Sequence, residues 1–221
     1  MEISPVAYFR SPVGGKFGLP RQSGLASSLR GEIVLESAFA SPDALRGLEG
    51  FDYIWLIWGF SLNRPEITPH LTVRPPRLGG NTRVGVFASR SPYRPNPLGL
   101  SSVRIESIDF EKGIISVLGA DLADGTPIFD IKPYIEYADS HPSVRSGFTD
   151  SSEWQRLEVT VPDALAGEFE PGQLQALREL LAEDPRPQYQ DDPERVYGPQ
   201  FEGRDVRFRV DGTTLTVVEI V

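Results

Sequence analysis

Asp52-Tyr53-Ile54-Trp55-Leu56-Ile57-Trp58-Gly59-Phe60 is the stretch that decides the fold, because it is almost entirely apolar and rich in aromatic and β-branched residues. Such a composition is typical of a β-strand. The run lacks the alternation of polar and apolar residues that a half-exposed strand shows, so we predict a strand buried on both faces. We expect this strand to lie at the centre of the fold.

Strand patterns continue on both sides of this central run. The sequence predicts further strands at Ile3–Arg10, Gly31–Glu36, Arg83–Ala88, Leu98–Phe110, Gly113–Leu118 and Pro127–Ile131. Ser41 before Pro42 indicates a short helix that ends at Gly47. Because no helix of crossover length separates the strands, the pattern favours a barrel or closed sheet over a doubly wound α/β fold.

The character of the sequence changes after about Tyr137. We predict a linker at Ala138–Ser152, a strand at Arg156–Val161 and a helix at Pro171–Glu183. Two final strands follow at Asp205–Val210 and Thr213–Val221. Leucines fall on one stripe of the helix, which is ordinary core spacing, and Asp211-Gly212 indicates a hairpin turn. The sequence therefore predicts a mainly β protein with two domains, residues 1–140 and a small α+β domain at residues 150–221.

The composition excludes several kinds of chemistry. The 221 residues include no cysteine, so the chain has no disulfide, thiolate metal site or cysteine nucleophile. Neither His70 nor His141 has a partner at metal-ligand spacing, so we predict no metal site and no Ser-His-Asp triad. No apolar run approaches the roughly 18–20 residues of a membrane span. The first residues do not resemble a secretion signal, so we expect a cytoplasmic protein without a membrane partner.

Charge is distributed unevenly along the chain, whose formal net charge is −9. Residues 3–31 carry four basic residues and no acid, and residues 64–97 carry six arginines against the single acid Glu66. Loops rich in proline and glycine do not pack a hydrophobic core, so we expect these cations to face a phosphate, a carboxylate or an RNA backbone. The acidic remainder would repel nucleic acid from the other faces.

Two clusters of residues suggest the kind of ligand. Arg74-Pro75 and Arg94-Pro95 mount guanidinium groups on backbone that proline makes stiff. Three carboxylates near a predicted strand edge could accept hydrogen bonds from nucleoside hydroxyls or amines: Asp121, Asp124 and Asp130. The chain contains neither a G-x-G-x-x-G fingerprint nor a P-loop. The residues alone therefore predict an anion- and nucleoside-binding site on a β-rich domain.

Ordered motifs in this sequence resemble those of the TrmO family, also called TsaA-like. They are Lys16-Phe17-Gly18-Leu19-Pro20-Arg21-Gln22, Val73-Arg74-Pro75-Pro76-Arg77-Leu78-Gly79-Gly80-Asn81, Gly85-Val86-Phe87-Ala88-Ser89-Arg90-Ser91-Pro92, Arg94-Pro95-Asn96-Pro97-Leu98-Gly99-Leu100, Asp121-Leu122-Ala123-Asp124-Gly125-Thr126-Pro127 and Asp130-Ile131-Lys132-Pro133-Tyr134. The resemblance covers residues 3–140 densely and continues through residues 183–189.

This resemblance implies a single-sheeted β-barrel methyltransferase that works as a homodimer. It would use S-adenosylmethionine to methylate N6 of threonylcarbamoyl-adenosine beside the anticodon, at position 37 of tRNA. The family's cofactor contacts correspond here to Pro20, Arg21, Gln22, Arg90, Leu100, Asp121, Leu122, Ala123 and Asp124. A further contact after the central strand is commonly His-Gln, whereas this chain has Ser61-Leu62.

The chemistry of methyl transfer suggests roles for other residues. An in-line displacement requires the N6 nitrogen to be held on axis with the methyl carbon. An oxygen acceptor can assist the loss of the N6 proton, and the candidates for this catalytic role are Asn96 and Asp130. Candidates for binding the RNA or the threonyl carboxylate are Arg74, Arg77, Tyr93, Arg94, Lys132, Tyr134, Arg186 and Tyr189.

Three other functions stay open at this point. The first is a β-barrel module that binds RNA or a nucleotide without catalysis, and the second is a methyltransferase of a small molecule. The third is an ester hydrolase with Asp121 or Asp124 as its base, which the lack of metal ligands disfavours. Calorimetry with S-adenosylmethionine distinguishes the binding module from the methyltransferases.

Overall fold

The computed structural model describes residues 2–63, 70–75, 82–151, 155–186 and 192–221. Six strands form a closed barrel: β1 (Ala7–Arg10), β2 (Arg30–Leu35), β3 (Tyr53–Gly59), β6 (Leu98–Asp109), β7 (Ile114–Leu118) and β8 (Pro127–Pro133). Their order around the barrel is β1-β2-β7-β6-β3-β8. Every neighbouring pair is antiparallel. Two short strands, β4 (Thr72–Val73) and β5 (Val84–Gly85), form a separate ribbon.

The barrel interior corrects one expectation about the central strand. Ile54, Leu56 and Trp58 face the core, whereas Trp55 and Ile57 are only half-buried. In a barrel each strand turns one set of alternate side chains inward and the other outward. The prediction that β3 is buried on both faces is therefore wrong, and a closed barrel has no central strand, because every strand lies between two others.

A second correction concerns the predicted strand Arg83–Ala88. Only Val84–Gly85 is a strand, and Val86–Ala88 forms a turn of 3-10 helix. The hydroxyl and the backbone N–H of Ser89 both donate to the carbonyl of Val86, at 2.9 and 3.3 Å. These two hydrogen bonds form a turn directly after Gly85, so the pairing of β5 with β4 ends there.

The helix predicted after Ser41 is confirmed as α1 (Pro42–Leu45). The Ser41 hydroxyl accepts a hydrogen bond from the backbone N–H of Asp43 at 3.3 Å, which caps the first turn. Gly47 follows with φ of 89°, a left-handed conformation that costs glycine little. Ser41 thus begins this helix as its N-cap, and Gly47 follows its end, as the sequence predicted.

The C-terminal part contains a four-stranded sheet and the longest helix. The elements are α2 (Glu136–Asp139), β9 (Glu158–Thr160), α3 (Asp163–Ala166), α4 (Pro171–Ala182), β10 (Gln200–Phe201), β11 (Arg204–Asp211) and β12 (Thr214–Ile220). The sheet order is β10-β11-β12-β9, with β9 parallel to β12. β11 and β12 form the predicted hairpin, and Leu177, Leu180 and Leu181 of α4 are buried in its core. No helix in the described ranges is long and apolar enough to cross a membrane.

The core of this C-terminal unit includes residues from the beginning of the chain. Val13, Ala26 and Leu29, from the connection between β1 and β2, belong to the same buried cluster as Leu177 and Phe208. Hydrogen bonds reinforce this contact, because Glu179 of α4 accepts both the backbone N–H and the hydroxyl of Ser28 at 2.8 Å. The division into domains at residues 1–140 and 150–221 stays a prediction. Residues 11–29 belong to the first of these ranges but contribute to the core of the C-terminal unit.

Candidate active site

Three connections that carry the sequence motifs emerge from one rim of the barrel. Since neighbouring strands run antiparallel, β1, β3 and β7 end at the rim where β2, β6 and β8 begin. The connections β1–β2, β3–β6 and β7–β8 therefore share this rim, although they lie far apart in sequence. Gly24 N–H donates to the Gly119 carbonyl at 2.8 Å, which joins the first connection to the third.

Asp121 lies in the β7–β8 connection at this rim. Its Oδ1 accepts a hydrogen bond from the Ser101 hydroxyl at 2.5 Å, and Ser101 Oγ accepts one from Trp58 Nε1 at 2.9 Å. Burial raises the pKa of the Asp121 carboxyl above its ordinary value. Hydrogen bonds from Ser101 and from the backbone N–H groups of Asp121 and Ser23, and the charge of Arg90, act in the opposite direction.

Arg90 links the β3–β6 connection to the β1–β2 connection. Its guanidinium donates to Gln22 Oε1, and Gln22 Nε2 donates to the carbonyl of Arg21 at 2.6 Å. The positive charge of Arg90 also acts on Asp121. The structure thus brings together three of the residues that the resemblance assigned to the cofactor: Gln22, Arg90 and Asp121. The guanidinium of Arg21 instead donates to the carbonyl of Asp184 at 3.1 Å.

The other predicted cofactor residues lie in different surroundings. Leu122 belongs to the barrel core and is 0% exposed, and Ala123 is 4% exposed, so only their backbone is available to a ligand. Asp124 Oδ1 accepts the backbone N–H of Ser11 at 3.0 Å and so holds the β1–β2 connection. Pro20 is buried, whereas Leu100 on the outer face of β6 is exposed. Two predicted residues, Ser61 and Leu62, are exposed in the turn after β3.

The two candidate proton acceptors do not join the Asp121 cluster through any hydrogen bond between described residues. Asp130 pairs with Ile57 on the outer face of the barrel. One of its oxygens accepts the Ile131 N–H at 2.9 Å and the other lies 2.7 Å from Lys132 Nζ. Asn96 is exposed in the loop before β6. Their proposed roles therefore rest on the sequence motifs rather than on contacts with this cluster.

The aromatic candidates differ in how freely they present their rings. Tyr93 is 44% exposed, with Lys16 Nζ 5.7 Å from its ring centroid and the His70 ring edge-on at 6.0 Å between centroids. Tyr134 packs against Tyr53 and Trp55, with ring centroids 6.2 and 5.7 Å apart. Tyr93 is therefore the better placed of the two to stack on a base.

The predicted RNA-binding arginines also fall into distinct groups. Arg74 is exposed. The Arg94 guanidinium donates to the carbonyls of Ser89 and Ser91, so it stabilises its own loop. The Arg186 side chain is only 10% exposed and donates to both oxygens of Asp184, at 2.9 and 3.0 Å. This pairing fixes the turn after α4, and a role of Arg186 in binding RNA stays a prediction. Arg77 and Tyr189 lie outside the described residues.

Three residues near the rim were missed by the sequence reasoning: Lys16, Trp58 and Ser101. Lys16 Nζ donates to Asn63 Oδ1 at 2.7 Å and lines a surface depression together with Arg21 and Pro185. Its place at the start of the first motif was the available signal. Ser101 had none, because a serine inside a strand pattern usually indicates a solvent-facing position.

The cations of the rim bind neutral groups, whereas those of the C-terminal sheet bind carboxylates. Lys16, Arg90 and Arg94 donate to an amide or to backbone carbonyls. In contrast, Arg204, Arg207 and Arg209 on β11 all form ion pairs with carboxylates. Between described residues the three rim cations form no ion pair with a carboxylate, although the charge of Arg90 acts on Asp121. The resulting positive charge favours an anionic ligand. No group of three potential metal ligands occurs in the described part of the chain.

Comparison with known proteins matches this geometry to a family. The model of the tRNA-methyltransferase O N-terminal domain matches residues 8–140, and the model of the TrmO C-terminal domain matches residues 155–221. The chain belongs to the TrmO family. Relatives in TrmO are similar over almost the whole chain, and two solved TrmO structures have the same fold.

One relative is a tRNA (adenine(37)-N6)-methyltransferase of Escherichia coli, 38% identical over 219 residues, which covers 95% of this chain and 93% of the relative. Another is a putative S-adenosylmethionine-dependent methyltransferase, RcsF, of Pseudomonas aeruginosa, 40% identical over 93% of this chain and 91% of the relative. A crystal structure of TrmO is similar with a TM-score of 0.82 and 31% identity, covering 100% of this chain and 99% of that one. A TrmO structure from Pseudomonas aeruginosa gives the same TM-score and covers 98% of that chain. The predicted family, barrel and α+β unit are confirmed.

Proposed function

We propose that this protein is a tRNA methyltransferase that transfers the methyl group of S-adenosylmethionine to N6 of the adenine at position 37. The observation that carries the proposal is the rim cluster in which Gln22, Arg90 and Asp121 meet on a TrmO barrel. Relatives named for this activity extend over nearly the whole chain. The cluster supplies both a carboxylate and cations, which the two ends of the methyl donor require.

The residues present fit the chemistry of this cofactor. S-adenosylmethionine supplies an activated methyl group on a sulfonium, and it carries an amine, a carboxylate and ribose hydroxyls. We assign Asp121 to a hydroxyl or amine, because its carboxylate accepts hydrogen bonds, and Arg90 to the carboxylate. A carboxylate at the sulfonium itself would favour the ground state, since the positive charge disappears from sulfur during transfer.

The task of the protein in this reaction is to orient groups and to move one proton. Exposed Tyr93 would hold the target base by stacking, so that N6 lies on the axis of displacement. N6 loses a proton as its new bond to carbon forms, and the carboxylate of Asp130 would accept that proton. Alternatively, the amide oxygen of Asn96 would accept a hydrogen bond from N6–H while the proton passes to solvent water. Each of these roles is a proposal that rests on the motif positions.

We further propose that the substrate adenosine carries the threonylcarbamoyl group, whose carboxylate lies only a few bonds from N6. The support is the positive charge at the rim, where Lys16 donates to Asn63 at 2.7 Å and lies against Tyr93. Lys16 lines the same depression as Arg21 of the cofactor segment, so its ammonium would lie close to a group attached at N6.

The test is methylation of two matched tRNA preparations, one with and one without the threonylcarbamoyl group, followed by nucleoside mass spectrometry. We expect methylated threonylcarbamoyl-adenosine from the first preparation only. Equal methylation of both would overturn the finer substrate assignment and leave the methyltransferase. Absence of any methylated adenosine would instead support a binding module without catalysis.

We propose, finally, a homodimer that works in the cytoplasm, where tRNAs take part in translation. Two large apolar side chains near the β4–β5 ribbon support the dimer, since Leu71 is 77% exposed and Phe87 79% exposed. They are neighbours, because the Val86 N–H donates to the Leu71 carbonyl at 3.0 Å. Light scattering should give twice the chain mass, and Phe87→Asp should lower it. A wild-type monomer at micromolar concentration would contradict the proposal.

A further inference from the structure

Ser101 is a polar residue in a place that normally excludes one. It is 1% exposed and faces the interior of the barrel from β6, where it pairs with buried Leu56 of β3. Burying a hydroxyl among apolar side chains costs free energy unless it forms hydrogen bonds. A small apolar residue would fill this position at lower cost, so the hydroxyl requires an explanation.

The hydrogen bonds of Ser101 have a fixed direction. An indole N–H only donates, so the bond from Trp58 Nε1 occupies a lone pair of Ser101 Oγ, at 2.9 Å. The single hydroxyl proton is then free to donate to Asp121 Oδ1, at 2.5 Å. Gly99 provides the space for this arrangement, because a Cβ at that position would overlap the Trp58 ring.

Asp121 also joins two of the motif-bearing connections. The backbone N–H of Ser23, which follows the Pro20–Gln22 segment, is among the groups that lower the pKa of the Asp121 carboxyl. Next to Ser23, the Gly24 N–H donates to the Gly119 carbonyl at 2.8 Å, close to Asp121 in the sequence. Arg90, which acts on Asp121, donates to Gln22 in the same segment. The position of this one carboxylate therefore affects both the β1–β2 and the β7–β8 connection.

We propose that Ser101, oriented by Trp58, is a positioning residue that holds Asp121 in the conformation that binds S-adenosylmethionine. Neither residue need touch the cofactor, because each acts through the Asp121 carboxylate. The inference rests on the proposed function only in taking the cofactor to be S-adenosylmethionine.

The experiment measures the Kd of S-adenosylmethionine by calorimetry, and KM and kcat on tRNA, for Ser101→Ala and Trp58→Phe. Losing a hydrogen bond to a charged group should raise the Kd and the cofactor KM of Ser101→Ala by about tenfold to a hundredfold. The kcat at saturating cofactor should stay near the wild-type value. Trp58→Phe keeps an aromatic ring but loses the N–H, so we expect a smaller rise in the same direction.

Ser102→Ala is the matched control, because Ser102 is the next residue on β6 and pairs with Trp55 on the outer face. It should leave the Kd unchanged. A merely structural role for Ser101 would lower kcat through loss of active protein and leave KM unchanged, which would overturn the inference. If Ser101→Ala does not fold, unchanged cofactor affinity in Trp58→Phe would overturn it. A wild-type protein that binds no S-adenosylmethionine would overturn the proposed function itself, and with it this inference.

Discussion

Replacing Arg90 with alanine is the most direct test of the rim cluster. Arg90 is exposed and donates to Gln22, while its charge acts on Asp121. Two consequences follow from removing it: the cofactor loses a cation for its carboxylate, and the Pro20–Gln22 segment loses a tie to the β3–β6 connection. We expect cofactor binding to weaken while the fold stays intact.

The size of the effect follows from the surroundings of the side chain. A hydrogen bond to a charged group contributes about 1.5–3 kcal/mol, so Kd should rise roughly tenfold to a hundredfold. Solvent screening at an exposed site favours the lower end of that range. Because Arg90 packs into neither core, the free energy of unfolding should change by no more than about 0.5 kcal/mol.

Calorimetry with S-adenosylmethionine gives the Kd, and a thermal melt gives the Tm. Arg178→Ala is a suitable control, since Arg178 is an exposed arginine on α4, and both values should match the wild type. The pH response adds a further check, because the charge of Arg90 lowers the Asp121 pKa. As the pH is lowered, the Asp121 carboxylate of Arg90→Ala should become protonated at a higher pH than that of the wild type. Affinity for S-adenosylmethionine should therefore begin to fall at a higher pH in the variant. An unchanged Kd, or a large loss of Tm, would refute the assignment of Arg90 to the cofactor.

Three other changes test separate parts of the molecule. Gly99→Ala should lower Tm by the equivalent of about 1–3 kcal/mol, because the added methyl overlaps a buried indole, and Gly85→Ala, with open space around it, should not. Glu179→Gln should lower stability at neutral pH by about 1 kcal/mol. Burial opposes ionisation of Glu179, but bonds from Ser28 outweigh it and lower the carboxyl pKa, so the difference from wild type in urea melts should shrink as pH falls through that pKa. Lys16→Met should raise the KM for threonylcarbamoylated tRNA several-fold without changing the Kd of S-adenosylmethionine, and an unchanged KM would contradict its proposed role.

Local sequence signals predicted the elements of this fold well where a single element determines its own structure. Ser41 and Gly47 marked a helix that the structure contains, and Asp211-Gly212 marked a hairpin. The β3 strand shows the limit of this reasoning. Its uninterrupted apolar sequence is the same whether its second face meets a helix layer or the outside of a barrel, so burial of that face was not predictable from the run itself.

The site was harder to predict because its contacts are distant in sequence. Arg90 and Gln22 are separated by 68 positions, and Ser101 and Asp121 by 20. Motifs identified most of these residues individually, but only the closure of the barrel brings them to one rim. Arg186 illustrates a contact that is local in sequence, since it pairs with Asp184 two positions before it, and its predicted role in binding RNA stays a prediction.

The shared core at residues 11–29 affects how this protein can be divided. A fragment that stops near residue 140 would leave Val13, Ala26 and Leu29 facing water, and a fragment that begins near residue 150 would lack three of its own buried side chains. Neither half should behave as an autonomous module in solution. Any chimera that exchanges the C-terminal unit between family members would have to carry the β1–β2 connection along with it.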